Sequence, residues 1–305
     1  MSSVGAPTHE PIPIGEIAKP PFARLPDPET LFKVRAGRFR TLSEGHALAP
    51  YLRFLAALSD AQHQLQDGLA APDMPGEETR ERSRAFGMPP LDRNAFNADA
   101  AFAPTLERLL ALAPSIDMPA NARAALARVS GADAAAHEAM IRNVLADAIP
   151  ADALAEHVFV AAALQVHFSR KAARLDPKNL VPVGDGACPA CGGPPVASMV
   201  VGWTGALNTR FCACSLCNTL WNVLRIKCVL CGSITQISYQ QIEGGDGQVR
   251  AEICDNCHGY VKILQEVQNP FLDPIADDVA SLALDLLVRE RGYRRGAVNP
   301  FLLGY

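Results

Sequence analysis

The arrangement of the cysteines constrains this fold more than any other feature of the sequence. All nine cysteines lie in one short stretch, and eight of them form four C-x-x-C pairs. The pairs begin at Cys188, Cys214, Cys228 and Cys254, so pairs one and two have the same separation as pairs three and four. A shift that moves Cys188 onto Cys228 places the first two pairs on the last two. The chain therefore contains a tandem repeat, and we predict one metal site in each unit.

Two thiolates three positions apart on a tight turn can face one ion. Two such turns supply the tetrahedral set of sulfurs that zinc, or iron of the rubredoxin type, prefers. Gly192, Gly232 and Gly259 follow three of the pairs within two positions, which predicts turns with positive φ at these glycines. Each unit is too small to bury an adequate core alone, so we expect the ions to stabilise the fold. The predicted ligands of the two ions, iron or zinc, are Cys188, Cys191, Cys214, Cys217, Cys228, Cys231, Cys254 and Cys257.

Structural disulfides and redox-active pairs are the main alternatives for these cysteines. Disulfides belong mostly to exported proteins. Residues 1–27 contain six prolines and lack the basic start and following apolar run of a secretory signal. We therefore expect a cytoplasmic protein with reduced thiols. A thioredoxin-like pair needs a single motif in a βαβ context, which this sequence lacks. No run approaches the ~20 apolar residues of a membrane span, so we expect no membrane insertion.

The N-terminal half has the apolar spacing of helices. Leucines and other apolar residues recur at three- and four-residue steps, which places them on one face of each helix. The stretch 71–100 is interrupted by prolines and glycines, and we predict a long connection there. The predicted helices cover residues 28–42, 48–69, 104–113, 119–129, 132–148 and 154–175.

Between the cysteine pairs the pattern becomes extended. The segments 219–227, 234–242 and 260–267 are rich in β-branched and aromatic residues, and the GGDG at 244–247 predicts a hairpin turn. Helical spacing returns at 275–291. We predict a multidomain α and β protein, in which an N-terminal all-α domain precedes tandem rubredoxin-like or zinc-ribbon four-cysteine modules and a C-terminal helix. The predicted parts are a flexible Pro-rich tail at 1–27, the all-α domain at 28–187, metal modules at 188–227 and 228–269, and the C-terminal helix and tail at 270–305.

Charge bears on nucleic-acid binding, which is common among zinc ribbons. Residues 188–267 carry five basic and five acidic side chains, and two four-thiolate sites with divalent ions bring the region to about minus four. A phosphate backbone is held mainly by a basic surface. The sequence therefore disfavours a nucleic-acid-binding zinc ribbon.

Two other functions remain to be compared. A rubredoxin-like electron carrier would not need the large helical domain, and zinc in the same ligands is redox-silent. A closed shell of four sulfurs leaves no coordination position for a substrate, and the helical half contains no H-E-x-x-H or phosphate-binding loop. We therefore expect no enzyme, and recognition of another protein fits these parts best.

The chain also resembles a known family. The resemblance rests on the helical half with CPACG at 188, CSLC at 214, CVLCGS at 228, CDNCHGYVKIL at 254, DDVASLALD at 277 and NPFLL at 299. Together these motifs resemble the formate dehydrogenase accessory protein family, FdhE, from the LPDPETLF at 25 onward. The resemblance implies a cytoplasmic maturation factor that contacts the catalytic subunit of respiratory formate dehydrogenase before export and binds iron in rubredoxin-like sites. It places the family's cysteine pairs on the eight residues named above, whereas Cys212 departs from the pattern. Cys212 could compete as a ligand with Cys214 and Cys217, but we expect a free thiol or a core residue because four sulfurs already complete the site.

Overall fold

The computed structural model describes residues 19–96 and 102–302. Most of its helices precede the cysteines, as the sequence predicts, and the predicted C-terminal helix at 275–291 is divided into two short helices. None of the helices in the described ranges combines the length and hydropathy needed to span a bilayer. The helices are α1 Leu31–Ser43, α2 Ala49–Gln64, α3 Glu77–Ala85, α4 Phe102–Leu112, α5 Ala120–Ser130, α6 Ala134–Leu145, α7 Leu154–Ala172, α8 Ala276–Ala280 and α9 Leu282–Glu290.

Helix α7 lies at the centre of the helical domain. Fourteen of its 19 residues are buried, and it contacts α2, α4, α5 and α6. A helix that is apolar around most of its circumference must be covered on most sides, and these neighbours together with the β-sheet cover it. Its position explains why the remaining helices show a polar face while α7 does not.

The predicted connection at 71–100 is wrong for its middle part, which contains α3. This helix has eight polar or charged residues and buries only Ser83, so no apolar periodicity indicated it. Its charges follow the helix dipole, because Glu77 and Glu78 lie in the first turn and Arg82 and Arg84 in the last turn. A short 3-10 turn at Arg93–Ala95 follows, and residues 97–100 lie outside the described ranges.

The cysteine units together build a single mixed sheet. Its strands run in the order β1-β4-β3-β2-β7-β6-β5, and β8 lies beside β7. Each unit is an antiparallel three-stranded meander, and the two meanders join through the parallel pair of β2 and β7. The strands are β1 Ala23–Arg24, β2 Pro195–Val201, β3 Thr209–Cys214, β4 Leu220–Val223, β5 Ile237–Gln240, β6 Val249–Cys254, β7 Gly259–Gln265 and β8 Arg294–Arg295.

The sequence repeat is also a repeat of strands. The shift that relates the cysteine pairs places Thr209–Cys214, which is β3, on Val249–Cys254, which is β6, and it places β4 inside β7. The predicted extended segments coincide with β4, β5 and β7, and the predicted hairpin implies the strand after residue 247, which is β6. Strands β2 and β3 were not predicted. The GGDG turn connects β5 and β6, which pair antiparallel as a hairpin requires.

The arm before α1 adds to this sheet. Residues 1–18 of the predicted tail lie outside the described residues, but Ala23 and Arg24 form β1 beside β4. The backbone N–H of Asn222 donates to the carbonyl of Phe22 at 2.8 Å, and the Arg24 guanidinium lies 4.5 Å from the ring centre of Trp203. The arm therefore covers one edge of the sheet.

The helical domain and the sheet share one apolar core. A continuous cluster of buried side chains includes Phe32 and Leu164 from the helices, Phe211 and Trp221 from the strands, and Cys188 from the first pair. The domain boundaries given by the sequence stay a prediction, because a shared core does not test where the units would separate. The consequence for the sites is that the first cysteine group lies inside this core.

The C-terminal helices bind the sheet through buried charges. Lys262 on β7 lies 3.3 Å from the Asp278 carboxylate and also pairs with Asp285. Arg295 on β8 pairs with the same two aspartates, at 2.7 Å for Asp285. Asp277 binds Arg38 of α1 at 2.6 Å. The three aspartates of the DDVASLALD motif therefore connect α8 and α9 to both the sheet and the helical domain.

Candidate metal centres

The four C-x-x-C pairs form four turns with the same backbone feature. The residue directly after the second cysteine of each pair has positive φ, at 79° for Gly192, 58° for Asn218, 75° for Gly232 and 51° for His258. The prediction is confirmed for Gly192 and Gly232 but wrong for Gly259, because His258 takes the left-handed position in the last turn. Asparagine and histidine enter this region more readily than most side chains, so the geometry of the turn survives both replacements.

The first turn of each unit is closed by the same hydrogen bonds. The Gly192 N–H donates to the Cys188 carbonyl at 2.8 Å, and the Cys188 N–H donates to the Gly193 carbonyl at 2.8 Å. In the second unit, Gly232 and Cys228 repeat these bonds at 3.0 and 2.8 Å, with Ser233 in the place of Gly193. The repeat therefore extends from sequence to backbone geometry.

The turns bring the eight paired cysteines together in two groups of four. Within each group the Sγ atoms all lie within 4.8 Å of one another, and each group could hold a metal ion. The two groups are called site 1 and site 2 below. Site 1 consists of Cys188, Cys191, Cys214 and Cys217, and site 2 of Cys228, Cys231, Cys254 and Cys257.

The sulfur separations exclude disulfides and suit a tetrahedral ion. In site 1 the Sγ atoms of Cys188 and Cys217 are 3.5 Å apart, and in site 2 those of Cys228 and Cys257 are 4.0 Å apart. A disulfide would hold two sulfurs at about 2.05 Å. Metal–sulfur bonds of about 2.3 Å in a tetrahedron separate the sulfurs by about 3.8 Å, which lies between these values. All nine cysteines are free thiols.

The chemistry of site 1 also fits a bound cation. Burial raises the pKa of the Cys188 thiol well above its usual value, and hydrogen bonds with Cys191, Cys214 and Cys217 raise it further. Four buried thiolates without a cation would repel one another, whereas a divalent ion would compensate most of their charge. The donor set suits both zinc and ferrous or ferric iron.

Site 1 lies between the helical domain and the sheet. The backbone N–H groups of Leu91 and Arg93 donate to the carbonyls of Ala190 and Cys191 at 2.9 and 3.0 Å. On the opposite side, the Gln165 amide of α7 donates to the Ser215 carbonyl at 2.7 Å. Both turns of site 1 are therefore held by groups that lie outside the cysteine repeat.

Asn218 connects site 1 to three further segments. Its side-chain N–H donates to the Ser169 hydroxyl of α7 at 2.8 Å, and its carbonyl oxygen accepts from Arg35 of α1 at 2.8 Å. Arg35 is 1% exposed and pairs with Asp273, which precedes α8, at 3.1 Å. The residue that closes the second turn of site 1 thus also fixes α1, α7 and the C-terminal segment against it.

Site 2 lies at the surface, at the far end of the sheet from β1. Cys231 is exposed and Cys257 is partly exposed, while Cys228 and Cys254 are buried. The backbone N–H of Ser233 and the side chain of Asn256 lower the pKa of Cys231 to about 7. Site 2 therefore has the same ligand set as site 1 in a more polar environment.

The first turn of site 2 is positioned by Leu230. A Cβ added at Gly259 would lie 2.7 Å from one methyl carbon of Leu230, and one added at Gly296 would lie 2.4 Å from the other. Real Cβ atoms do not approach this closely, so an alanine at either position would force the Leu230 side chain to shift. Leu230 therefore anchors the turn of Cys228 and Cys231 between β7 and the segment after β8.

Cys212 belongs to neither group among the described residues. It lies on β3 opposite Trp221 of β4 and is fully buried. Burial raises the pKa of its thiol to about 12, so it stays protonated. These observations match the expectation of a core residue with a free thiol.

Sequence reasoning missed the side chains that hold site 1 in place. Arg35, Arg93 and Gln165 stand in the helical half and carry no local signal. Asn218 does have one, because it occupies the position at which the first and third pairs have glycine. Asparagine tolerates the left-handed conformation and adds a polar side chain, so a replacement of glycine there points to a side-chain role.

The fold and the two cysteine groups define a class of protein, in which a helical domain is fused to a sheet with two zinc-ribbon-like four-cysteine clusters. Three family profiles match the chain: "FdhE, N-terminal" over residues 20–185, "FdhE, central domain" over 187–225 and "FdhE, C-terminal domain" over 226–302. The chain belongs to the FdhE family, and this assignment implies an accessory role for formate dehydrogenase.

Curated relatives and a solved structure agree with this assignment. The FdhE homolog of Rhizobium meliloti (strain 1021) is 46% identical over 305 residues, which cover 99% of this chain and 100% of that protein. Protein FdhE of Escherichia coli (strain K12) is 34% identical and covers 92% of this chain and 90% of that protein. The crystal structure of FdhE from Pseudomonas aeruginosa has a TM-score of 0.83 at 35% identity and covers 93% of this chain and 99% of that chain.

Proposed function

We propose that this protein is a cytoplasmic maturation factor for respiratory formate dehydrogenase, which binds the catalytic subunit before export. The observation that carries the proposal is the agreement of the whole chain with the FdhE family, with both four-cysteine groups assembled. The protein itself is a recognition factor and not an enzyme. This view is supported by the closed set of four sulfur donors in each site, which leaves no coordination position for a substrate.

Each site would hold one ion, zinc or iron, through its four cysteines. Bound metal would cross-link the two turns of a unit, which are well separated in sequence, as Cys188 and Cys214 show. Small metal modules of this kind fold together with their ion. The chain's own contribution is to present the sulfurs at the right separation and to shield them. Asn256, whose side-chain N–H donates to the Cys231 sulfur at 3.5 Å, stabilises a thiolate there.

The charges of the sheet give little support to nucleic-acid binding. Of the five basic side chains between residues 188 and 267, Arg210 and Lys262 are buried in ion pairs. Phosphate contacts require exposed basic groups, and only Arg225, Lys227 and Arg250 remain, of which Lys227 already pairs with Asp185 at 2.6 Å. The sheet therefore lacks a basic face of the kind that binds a phosphate backbone.

The surface we assign to the client is the outer edge of the second unit. Strand β5 is the last strand of the sheet, and no charged residue or proline occurs from 228 to 242. Natural edge strands are usually blunted by charges, prolines or short length. Strand β5 is short but uncharged, it exposes Tyr239 at 47%, and Ile234 just before it is 67% exposed. An uncharged edge can add an extended segment of another protein through main-chain hydrogen bonds.

A pull-down from cytosol tests the proposal. We expect the catalytic subunit of formate dehydrogenase to be recovered with the wild-type chain. Ile234→Glu with Ile242→Glu should reduce its recovery by more than about tenfold, since an unpaired carboxylate buried in an interface is costly. Phe86→Glu is the matched control, because Phe86 is 73% exposed at the end of α3 and is not part of the β5 edge.

Two outcomes would contradict the proposal. Recovery of nucleic acid instead of formate dehydrogenase would refute the assigned partner. A protein with Cys188→Ser and Cys191→Ser that loses its metal yet binds and matures the client normally would refute the role of the metal-bound fold in recognition.

A further inference from the structure

The two sites have the same ligands but very different exposure. The four cysteines of site 1 are at most 1% exposed. In site 2, Cys228 and Cys254 are buried, Cys257 is partly exposed and Cys231 is exposed. Cys191 and Cys231 occupy equivalent positions, since each is the second cysteine of the first pair in its unit. The difference therefore comes from what packs against each unit and not from the repeat itself.

Site 1 is enclosed by parts of the protein that are distant in sequence. The segment at Leu91 and Arg93 hydrogen-bonds one turn, α7 hydrogen-bonds the other through Gln165, and the side chain of Asn218 binds Ser169 and Arg35. A cysteine could leave the ion only if the helical domain moved away from the sheet. Such an opening disrupts the shared core and has a free energy near that of global unfolding.

Outside its own unit, site 2 is contacted by short segments at residues 185–186 and 293–296. Cys257 lines an open cavity of about 360 Å³ together with Asp185, Leu230 and Arg294. Cys231 contacts Asn256, which is itself exposed. Movement of the Cys231 side chain into solvent would break its hydrogen bonds with the Ser233 N–H and the Asn256 side chain and would disturb no part of the main core.

Exchange of a metal ion between sets of thiolates proceeds one ligand at a time. One cysteine sulfur leaves the ion, and a donor atom of the acceptor takes its place, so the ion keeps its charge and no electron is transferred. A sulfur that leaves at site 1 would become a buried, unpaired anion, which is costly. At site 2 the leaving sulfur of Cys231 would be hydrated by solvent.

We propose that site 2 is an exchangeable metal site with Cys231 as the first ligand to dissociate, and that site 1 is a closed site that retains its ion as long as the fold persists. The inference rests on the proposed binding of one ion in each site. Site 1 and site 2 then have different roles, although their cysteine motifs are equivalent in the sequence repeat. Site 2 is then the place where the metal content of the protein responds to competing thiols or chelators.

The test is metal release from the intact protein loaded with two zinc ions. The chelator 4-(2-pyridylazo)resorcinol is added, and its absorbance reports released zinc over time. We expect one equivalent to leave roughly 100-fold faster than the second, since local opening and global unfolding differ by several kcal/mol. Iodoacetamide present during the fast phase should modify Cys231 and then Cys257, as read by peptide mass spectrometry.

Matched variants at equivalent positions provide the control. Cys231→Ser should abolish the fast phase and leave one slowly released ion, while Cys191→Ser should remove the slow phase or prevent folding. Asn256→Leu gives site 2 the residue that stands at the equivalent position in site 1, Leu216, and should accelerate the fast phase without removing a ligand.

The outcomes separate this inference from the proposed function. Release of both ions in one phase, or first alkylation at a cysteine of site 1, would overturn the inference while metal binding and client recovery stood. A protein that contains no ion after expression with ample zinc and iron would overturn the metal-binding part of the proposed function as well.

Discussion

The buried pair of Arg210 and Glu252 connects the two repeat units across the sheet. Arg210 on β3 is 0% exposed and lies 2.8 Å from the carboxylate of Glu252 on β6. Its guanidinium also donates to the Ser198 hydroxyl at 3.1 Å and to the Lys227 carbonyl at 3.2 Å. Lys227 directly precedes Cys228, so Arg210 holds the segment that carries the first turn of site 2. We predict that Arg210→Met destabilises the folded, metal-loaded protein strongly.

The magnitude follows from the burial of the partner. Glu252 is 3% exposed, and Arg210→Met would leave its carboxylate without a counter-charge, which costs roughly 3–5 kcal/mol of unfolding free energy. The double variant Arg210→Met with Glu252→Leu removes both charges and keeps the volume. Replacement of a buried ion pair by apolar residues often leaves the unfolding free energy nearly unchanged. The Tyr239 hydroxyl loses Glu252 as its partner, but Tyr239 is 47% exposed and can bind water instead. We expect the double variant to lie within about 1–2 kcal/mol of the wild type.

Urea unfolding of the wild type, Arg210→Met, Glu252→Leu and the double variant measures the coupling energy between Arg210 and Glu252. Far-ultraviolet circular dichroism reports the whole fold, and tryptophan fluorescence reports the first unit. Arg225→Met is the matched control, because Arg225 is exposed on the same connecting segment and makes one side-chain hydrogen bond, at 3.3 Å to the Asn208 carbonyl. We expect a change of less than about 0.5 kcal/mol for it. A cost below about 1 kcal/mol for Arg210→Met, or a double variant equal to the sum of the two single changes, would refute the reasoning.

Three further predictions concern the supports of the two sites. Gly296→Ala should lower the unfolding free energy of the second unit by about 1–3 kcal/mol because its Cβ overlaps Leu230, and Leu230→Ala in the same chain should recover part of this loss in thermal melts. Burial raises the pKa of Asp278, but the charges of Arg295 and Lys262 outweigh burial and hold the pKa below its usual value. A carboxyl with a lowered pKa stabilises the fold at pH values above its pKa in the unfolded chain, about 3.9, and this stability is lost as the pH falls. The difference in unfolding free energy between wild type and Asp278→Asn should therefore shrink below about pH 4 in pH-dependent denaturation. Asn218→Gly removes three side-chain hydrogen bonds but keeps the positive φ. Asn218→Ala removes the same bonds and adds backbone strain, so it should be less stable than Asn218→Gly by about 1 kcal/mol in urea unfolding. Equal stabilities would contradict the role of the left-handed turn.

The cysteine groups were predictable because their signal is local. Two sulfurs three positions apart on one turn can bind one ion, and the interval from Cys188 to Cys214 recurs from Cys228 to Cys254, so the composition of each group follows from spacing alone. Helices α2 and α7 were predictable because their apolar residues follow helical steps. Strands β2 and β3 and helix α3 were not, since β2 is buried along its whole length and α3 buries only Ser83. A segment that is buried on both faces or exposed on all faces carries no periodic signal.

The sequence by itself determined the helical half, the repeat and the eight cysteines that form two groups. Only the tertiary structure decided how the units meet through β2 and β7, and which residues cover each site. Arg35 and Asp273, for example, are 238 positions apart and still form a buried pair beside site 1. Spacing along the chain fixes which sulfurs can share an ion, whereas burial depends on distant segments that pack against them. Two equivalent motifs therefore became one enclosed site and one exposed site.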